Sequence, residues 1–122
     1  MELVHRDITQ KIIGAAYEIY RTMGYGFLEK VYQKAMQVEL QAVGVPCELE
    51  KKVKVFYRGA TVGDYEADLF VGEAVIVELK VAKSYNPEDE AQLLNELKAT
   101  GVKVGLLINF GRTRVEFKRL VF

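Results

Sequence analysis

Residues 68–80 read DLFVGEAVIVELK and set two carboxylates and a lysine inside strongly apolar, strand-like sequence. Side chains of a strand alternate between its two faces, so each arm of this stretch has one apolar face. The residues of these faces are Tyr65, Ala67, Leu69 and Val71 on the first arm, and Val75, Val77, Leu79 and Val81 on the second. A hairpin that buries both apolar faces on one side of a sheet has few permitted registers.

The length of the connection between the arms decides the register. A two-residue turn at Gly72-Glu73 would put the apolar faces on opposite sides of the sheet, whereas a three-residue connection over 72–74 puts them on the same side. We therefore predict the longer connection. The pairs that it creates are Val71–Val75, Leu69–Val77, Ala67–Leu79, Asp68–Glu78 and Glu66–Lys80.

The predicted register places the carboxylates of Asp68 and Glu78 opposite each other. Like charges in this arrangement destabilise a sheet, so their repulsion must be offset. Either a divalent cation, which prefers oxygen ligands, or the ammonium group of Lys80 would do so. The hairpin alone therefore leaves two interpretations open: a metal-dependent catalytic site, or an ion cluster on an exposed sheet face.

Length and composition limit the architecture and the chemistry. The 122 residues, half of them hydrophobic, suit a single domain over 1–122, and no apolar run is long enough to span a membrane. The charged N-terminus is unlike a secretory signal, so we expect a soluble, cytoplasmic protein. Cys47 is the only cysteine and His5 the only histidine, which argues against a zinc cluster and against histidine-dependent hydrolysis. Any chemistry must use carboxylates, lysine and bound water.

Charge is balanced overall and uneven along the chain. With 17 basic and 17 acidic residues, no global field attracts nucleic acid. Residues 51–58 nevertheless carry four basic side chains and no acid, and residues 64–96 carry nine acids against Lys80 and Lys83. An acidic middle with basic margins suits a metal site bordered by phosphate-binding groups, although the charge runs alone favour ordinary solvated surfaces.

Hydrophobic periodicity predicts three helices and five strands in the order ααβββαββ. The helices cover about 7–23, 28–43 and 87–100, and the strands about 47–57, 61–71, 75–81, 102–110 and 114–121. The apolar stripe of the second helix should comprise Val31, Ala35, Val38 and Ala42. Residues 102–110 are almost wholly apolar and follow a helix, which predicts a strand covered on both faces and parallel to one of the first three. The predicted class is α/β (α+β), a mixed five-stranded sheet flanked by helices.

An acid on one strand, followed on the next by an acid, any residue and a lysine, then a helix and a strand, resembles the PD-(D/E)XK nuclease superfamily. Here these residues are Asp68, Glu78, Leu79 and Lys80. The sequence GFLEKVY at 26–32 also resembles the signature of the GxxExxY protein family, a branch of that superfamily. The likeness continues through VIVELK at 75–80, AQLL and LKATG within 91–101, and GLLINFG at 105–111.

The resemblance implies a restriction-endonuclease-like core and a set of roles. Asp68 and Glu78 would be ligands of Mg²⁺ or Mn²⁺, and the Leu79 carbonyl a third oxygen ligand. Lys80 would orient or activate the attacking water, or stabilise charge that builds on the phosphate. The implied activity is metal-dependent hydrolysis of nucleic acid, DNA in preference to RNA.

Other positions follow the family pattern less closely. Glu29 resembles an additional acid on the N-terminal helix of some branches, although an acid there also stabilises the helix dipole. Gln92 resembles the first residue of a Gln-x-x-x-Tyr motif, in which Glu96 replaces the tyrosine, or is simply an exposed helix residue. Tyr20 stands where a histidine is often found.

The alternative function is a non-catalytic module that binds nucleic acid or protein on a nuclease fold. The complete set of Asp68, Glu78 and Lys80 favours the enzyme, because a decayed site usually lacks one of them. A homodimer would extend the surface available to a duplex.

Overall fold

The computed structural model describes residues 5–122, in which the predicted order of elements is confirmed. The helices are α1 (Arg6–Met23), α2 (Glu29–Ala42) and α3 (Glu88–Thr100). The strands are β1 (Cys47–Tyr57), β2 (Ala60–Val71), β3 (Val75–Lys80), β4 (Val104–Phe110) and β5 (Val115–Val121). No helix in this part of the chain has the length and apolar character needed to cross a membrane.

The five strands form one mixed sheet in the order β1-β2-β3-β4-β5. Only β3 and β4 pair in parallel, and α3 connects them. All seven residues of β4 are buried, as predicted for a strand with helices on both faces. The mixed five-stranded sheet predicted from the sequence is therefore confirmed.

Helices α1 and α2 cover one face of the sheet. Their buried side chains join those of β3 and β4 in the larger core. The predicted stripe on α2 is wrong: Val38 is 67% exposed, whereas Tyr32, Met36 and Leu40 are fully buried. Residues four apart share a helix face, and the face with the larger side chains removes more apolar area from water. The size of the apolar side chains, rather than their number, therefore determines which face of α2 is buried.

Helix α3 covers the opposite face and builds a second, smaller core. This core contains Ala67, Ile76, Leu93, Leu97 and Leu107. Gly105 on β4 allows the close approach of α3, since a Cβ there would lie 3.2 Å from two side-chain carbons of Leu93. The position of α3 matters because it carries Gln92 and Glu96.

The hairpin of β2 and β3 has the predicted three-residue connection. The paired residues are Leu69–Val77, Phe70–Ile76 and Val71–Val75. The ladder ends there, so the predicted pairs Ala67–Leu79, Asp68–Glu78 and Glu66–Lys80 are wrong as backbone pairs. The strands separate because carboxylate oxygens, rather than carbonyl oxygens, accept the next backbone N–H groups.

Strand β2 also changes face at Asp68. Leu69 and Val71 pack in the larger core, whereas Ala67 and Tyr65 pack in the smaller one, so the prediction of one shared face is wrong. The ladder of β1 and β2 is interrupted at this point, opposite Glu50, whose φ is 52°. The register is the same on both sides of this point, with Leu49 opposite Leu69 and Lys51 opposite Ala67, so the change of face accompanies the left-handed backbone of Glu50 and not a slip of the strands.

Gly105→Ala should lower the free energy of unfolding by about 1–3 kcal/mol, because the added methyl group displaces Leu93. Gly63→Ala on β2 is the matched control, since a Cβ there meets no atom within 4 Å. Urea denaturation measures both. Equal effects of the two substitutions would contradict close packing of α3 on β4.

Candidate active site

Asp68 and Glu78 lie where β2 and β3 separate. The Asp68 carboxylate accepts a hydrogen bond from the Leu79 N–H at 2.8 Å, and the Glu78 carboxylate accepts one from the Asp68 N–H at 3.1 Å. The Glu78 carboxylate therefore accepts from the N–H of Asp68 itself, and the Asp68 carboxylate accepts from the N–H of the residue that follows Glu78. The two acids are half-buried and fixed side by side, although they are not a ladder pair.

Lys80 and Glu29 complete the centre of the site. Glu29 is the first residue of α2, and its carboxyl group lies beside the Asp68 carboxyl group. The Lys80 ammonium is close enough to Asp68, Glu29 and Glu96 to stabilise their ionised forms. The structure thus brings the predicted residues of α2, β2 and β3 together around one lysine.

Gln92 lies at the side of the same site. It is exposed on α3 and lines a shallow cleft together with Glu78, Lys80 and Glu96. Its side chain lies beside the Glu96 carboxyl group and favours the ionised form of that acid, which lowers the Glu96 pKa. Leu79 buries its side chain in the larger core, and its N–H is the donor to Asp68. The predicted role of the Leu79 carbonyl as a ligand stays a prediction.

Burial dominates the electrostatics of these acids. It raises the pKa of Asp68, and with the neighbouring charge of Asp68 it raises the pKa of Glu29. The pKa of Glu78 rises to about 7, first through burial and then through repulsion by Asp68. Burial also raises the pKa of Glu96. Four poorly solvated carboxyl groups therefore surround Lys80, and their combined charge exceeds what one ammonium offsets.

The donor set fits a cation that keeps much of its water. Among residues 5–122, no three His, Cys, Asp or Glu side chains converge as a complete metal site. Mg²⁺ does not need such a cage, because it typically binds through one or two carboxylates and retains several waters. Asp68 and Glu78 supply these oxygens.

Tyr65 was not identified from the sequence as a site residue. Its hydroxyl group is buried and makes no hydrogen bond of good geometry with any residue of 5–122, although the carboxyl groups of Glu78 and Glu96 lie beside it. Burial and these two acids raise its pKa. The sequence placed Tyr65 on an apolar strand face, and only the change of face at Asp68 brings its hydroxyl to the site.

Gln33 and Glu50 lie beside Asp68 on the other side: Gln33 holds its backbone, whereas the charge of Glu50 repels its carboxylate. Gln33 is buried on α2, and its side-chain amide donates to the Asp68 carbonyl at 2.8 Å. Glu50 lies near Asp68, pairs with Lys30 at 3.6 Å and has a left-handed backbone. Neither residue has a sequence signal, since a glutamine on a helix and a glutamate on an edge strand are common.

The sequence matches the family model of the PD-(D/E)XK nuclease superfamily over residues 6–120. The chain belongs to the PD-(D/E)XK nuclease superfamily. This confirms the superfamily predicted from the order of Asp68, Glu78 and Lys80 and of the elements around them. Nucleases of this superfamily generally use divalent metal ions such as Mg²⁺. The narrower assignment to the GxxExxY branch stays a prediction.

The crystal structure of SSO0001 has a similar fold. It superimposes with a TM-score of 0.56 and 15% sequence identity over 96% of this chain. This chain spans 58% of that one, so the likeness is to part of a larger protein. At this identity, it concerns the fold alone. A comparison with curated proteins gives no significant match.

Glu78→Gln should make stability less dependent on pH in metal-free solution. The Glu78 pKa of about 7 lies above its ordinary value of 4.5, so the folded protein holds this proton more tightly than the unfolded chain does. The stabilisation that comes from this bound proton is complete below pH 4.5. It is lost as the pH rises through about 7, which lowers the free energy of unfolding by on the order of 2–3 kcal/mol.

Urea denaturation in EDTA at several pH values measures this loss. Glu73→Gln, an exposed acid in the connection of the same hairpin, is the control and should follow the wild type. A Glu78→Gln protein with the wild-type pH dependence would contradict the assignment of the raised pKa.

Tyr65→Phe should raise the free energy of unfolding by about 1 kcal/mol, because it removes a buried hydroxyl group that lacks a hydrogen bond of good geometry. Tyr85→Phe provides the comparison. The Tyr85 hydroxyl donates to Glu90 at 2.7 Å, so its removal should lower stability by about 0.5–1.5 kcal/mol. Similar losses in both variants would mean that Tyr65 is hydrogen-bonded to Glu78 or Glu96.

Proposed function

We propose that this chain is a divalent-metal-dependent nuclease that hydrolyses phosphodiester bonds in nucleic acid, DNA in preference to RNA. The observation that carries the proposal is the fixed pair of Asp68 and Glu78, with Lys80 next on the same face of β3. Two carboxylates held together without enough positive charge between them favour a bound cation. Mg²⁺ or Mn²⁺ is the cation of the proposal.

Asp68 and Glu78 would hold the metal, and the Leu79 carbonyl would be a third oxygen ligand. The bound metal would supply a nucleophilic water near neutral pH and a sink for charge on the phosphate. Lys80 is a compact cation beside these ligands, which suits it to orient the water or to stabilise an oxyanion. In the proposal, Glu29 orients the neighbouring Asp68 carboxylate, and Gln92 contacts the substrate from the side of the cleft.

Two contacts support membership of the GxxExxY branch. Tyr32 is fully buried, stacks on Phe110 and donates a hydrogen bond to the Gly24 carbonyl. This bond closes the loop that precedes α2 and so fixes where the helix starts. Glu29, at that start, faces Asp68. The glutamate and the tyrosine of the signature would thus have separate tasks, one at the site and one in its support.

The proposal includes a homodimer. A neutral chain of this size offers little surface to a duplex, and a second copy would enlarge the contact area.

Asp68→Asn and Lys80→Met should each lower the rate of DNA cleavage at least 100-fold in the presence of Mg²⁺ or Mn²⁺. Asp68→Asn removes a ligand charge, and Lys80→Met removes the cation beside it. Glu73→Gln and Lys98→Met, exposed positions outside the site, are the matched controls and should cleave like the wild type. Supercoiled plasmid and end-labelled oligonucleotides of DNA and RNA serve as substrates.

The same assay separates the two functions. Cleavage that survives both Asp68→Asn and Lys80→Met would overturn the assigned site. A wild-type protein that binds nucleic acid without cleaving it under any of these conditions would favour the non-catalytic module instead.

A further inference from the structure

The distal halves of β1 and β2 extend beyond the rest of the sheet. These strands pair with each other as far as Tyr57–Ala60, whereas β2 pairs with β3 only over 69–71. Residues 52–66 therefore form a two-stranded ribbon, and no further strand of the described part of the chain lies on either side of it. We call this ribbon the β1–β2 arm.

The geometry of its turn defines the conformation of the arm. Arg58 and Gly59 form its turn with φ values of 49° and 80°, the left-handed pair of a tight hairpin turn whose twist matches that of the strands. Eight residues separate the turn from Asp68, which corresponds to a reach of about 26 Å. Every residue from 56 to 64 is exposed. The tip thus projects into solvent as a paired ribbon, whose register shifts once, between Val55 and Phe56.

The basic residues of the arm lie on its outer strand and turn. Lys52, Lys54 and Arg58 are exposed and make no ion pair with any residue in the part of the chain that the structure describes. Asp64 and Glu66 pair with Lys54 and Lys52 through the backbone, yet no charged atoms of these pairs come within 4.0 Å. Residues 52–63 carry these three basic side chains and no acid, so the outer strand and turn of the arm are positive.

Apolar side chains accompany these charges. Phe56 is 50% and Tyr57 63% exposed, and the Arg58 guanidinium lies 5.6 Å from the centre of the Tyr57 ring. Lysines on an edge strand also prevent strands from aggregating, but exposed aromatic rings beside them have the opposite effect. The combination of free cations and aromatic rings is typical of a surface that binds nucleic acid.

The arm begins at the candidate active site, since Asp68 is the residue at which β2 leaves β3. A phosphodiester chain bound there would pass the base of the arm. We propose that the β1–β2 arm binds the backbone of duplex nucleic acid next to the cleaved phosphate, with Lys52, Lys54 and Arg58 on phosphates. A two-stranded ribbon has the width of the major groove. This inference rests on the proposed function, whose substrate it positions.

The test compares two triple variants that remove the same charge. Lys52→Gln/Lys54→Gln/Arg58→Gln alters the arm, and Lys11→Gln/Lys34→Gln/Lys98→Gln alters exposed positions on the three helices. Fluorescence anisotropy with a labelled 20-base-pair DNA duplex in EDTA, at several salt concentrations, gives the affinity and its salt dependence. Thermal melting checks that both variants are folded.

The arm variant should bind the duplex at least tenfold more weakly than the wild type, and its plot of log affinity against log salt should be shallower by about 2–3. The helix variant should stay within about threefold of the wild type, since it removes the same charge from other surfaces. A second variant, Phe56→Ser/Tyr57→Ser, should weaken binding without changing the salt slope.

Equal affinities of the two triple variants would overturn the proposal for the arm, and wild-type cleavage that still requires Asp68 would leave the proposed function intact. A wild type that neither binds nor cleaves nucleic acid would overturn both. The arm proposal also fails if the wild type is a dimer that Phe56→Ser/Tyr57→Ser dissociates while duplex binding is unchanged, because the arm would then bind a second copy.

Discussion

Two reciprocal hydrogen bonds, from the backbone beside each of Asp68 and Glu78 to the carboxylate of the other, shape this molecule. They replace the next rungs of the β2–β3 ladder, so the strands separate there and the acids lie in the gap. A hydrogen bond to a charged acceptor is stronger than one between neutral groups, which stabilises the separation. The candidate site, the change of face in β2 and the origin of the β1–β2 arm all follow from this pair of contacts.

The surrounding fold holds the acids of the candidate site together in spite of their electrostatic repulsion. Four carboxyl groups with raised pKa values around Lys80 oppose folding, because burial and mutual repulsion disfavour their ionised forms. Helices on both faces of the fully buried β4 hold the neighbouring β3 in place. A site that stores electrostatic repulsion in this way gains affinity for a cation, since the cation relieves the repulsion.

Much of the fold and the central residues of the candidate site could be predicted from the sequence. Hydrophobic periodicity located the elements, and the apolar faces of β3 and the end of β2 fixed the connection over 72–74. The family pattern selected Asp68, Glu78 and Lys80, which the fold brings together. The alternation rule failed at Asp68, because a side chain there replaces a ladder partner and local periodicity contains no trace of that. Tyr65 and Gln33 were missed for the same reason: their positions depend on contacts between distant segments. The prediction of the buried face of α2 was wrong because it counted four small apolar residues as more important than three large ones.

Direct measurement of metal binding tests the central claim that Asp68 and Glu78 are a prepared cation site. Isothermal titration calorimetry with Mn²⁺ at pH 7.5 requires no substrate and no turnover. The wild type and Glu73→Gln should bind with the same affinity, and Asp68→Asn should bind at least tenfold more weakly, because a ligand charge is lost. Equal binding by all three proteins, or no binding by the wild type, would contradict this account.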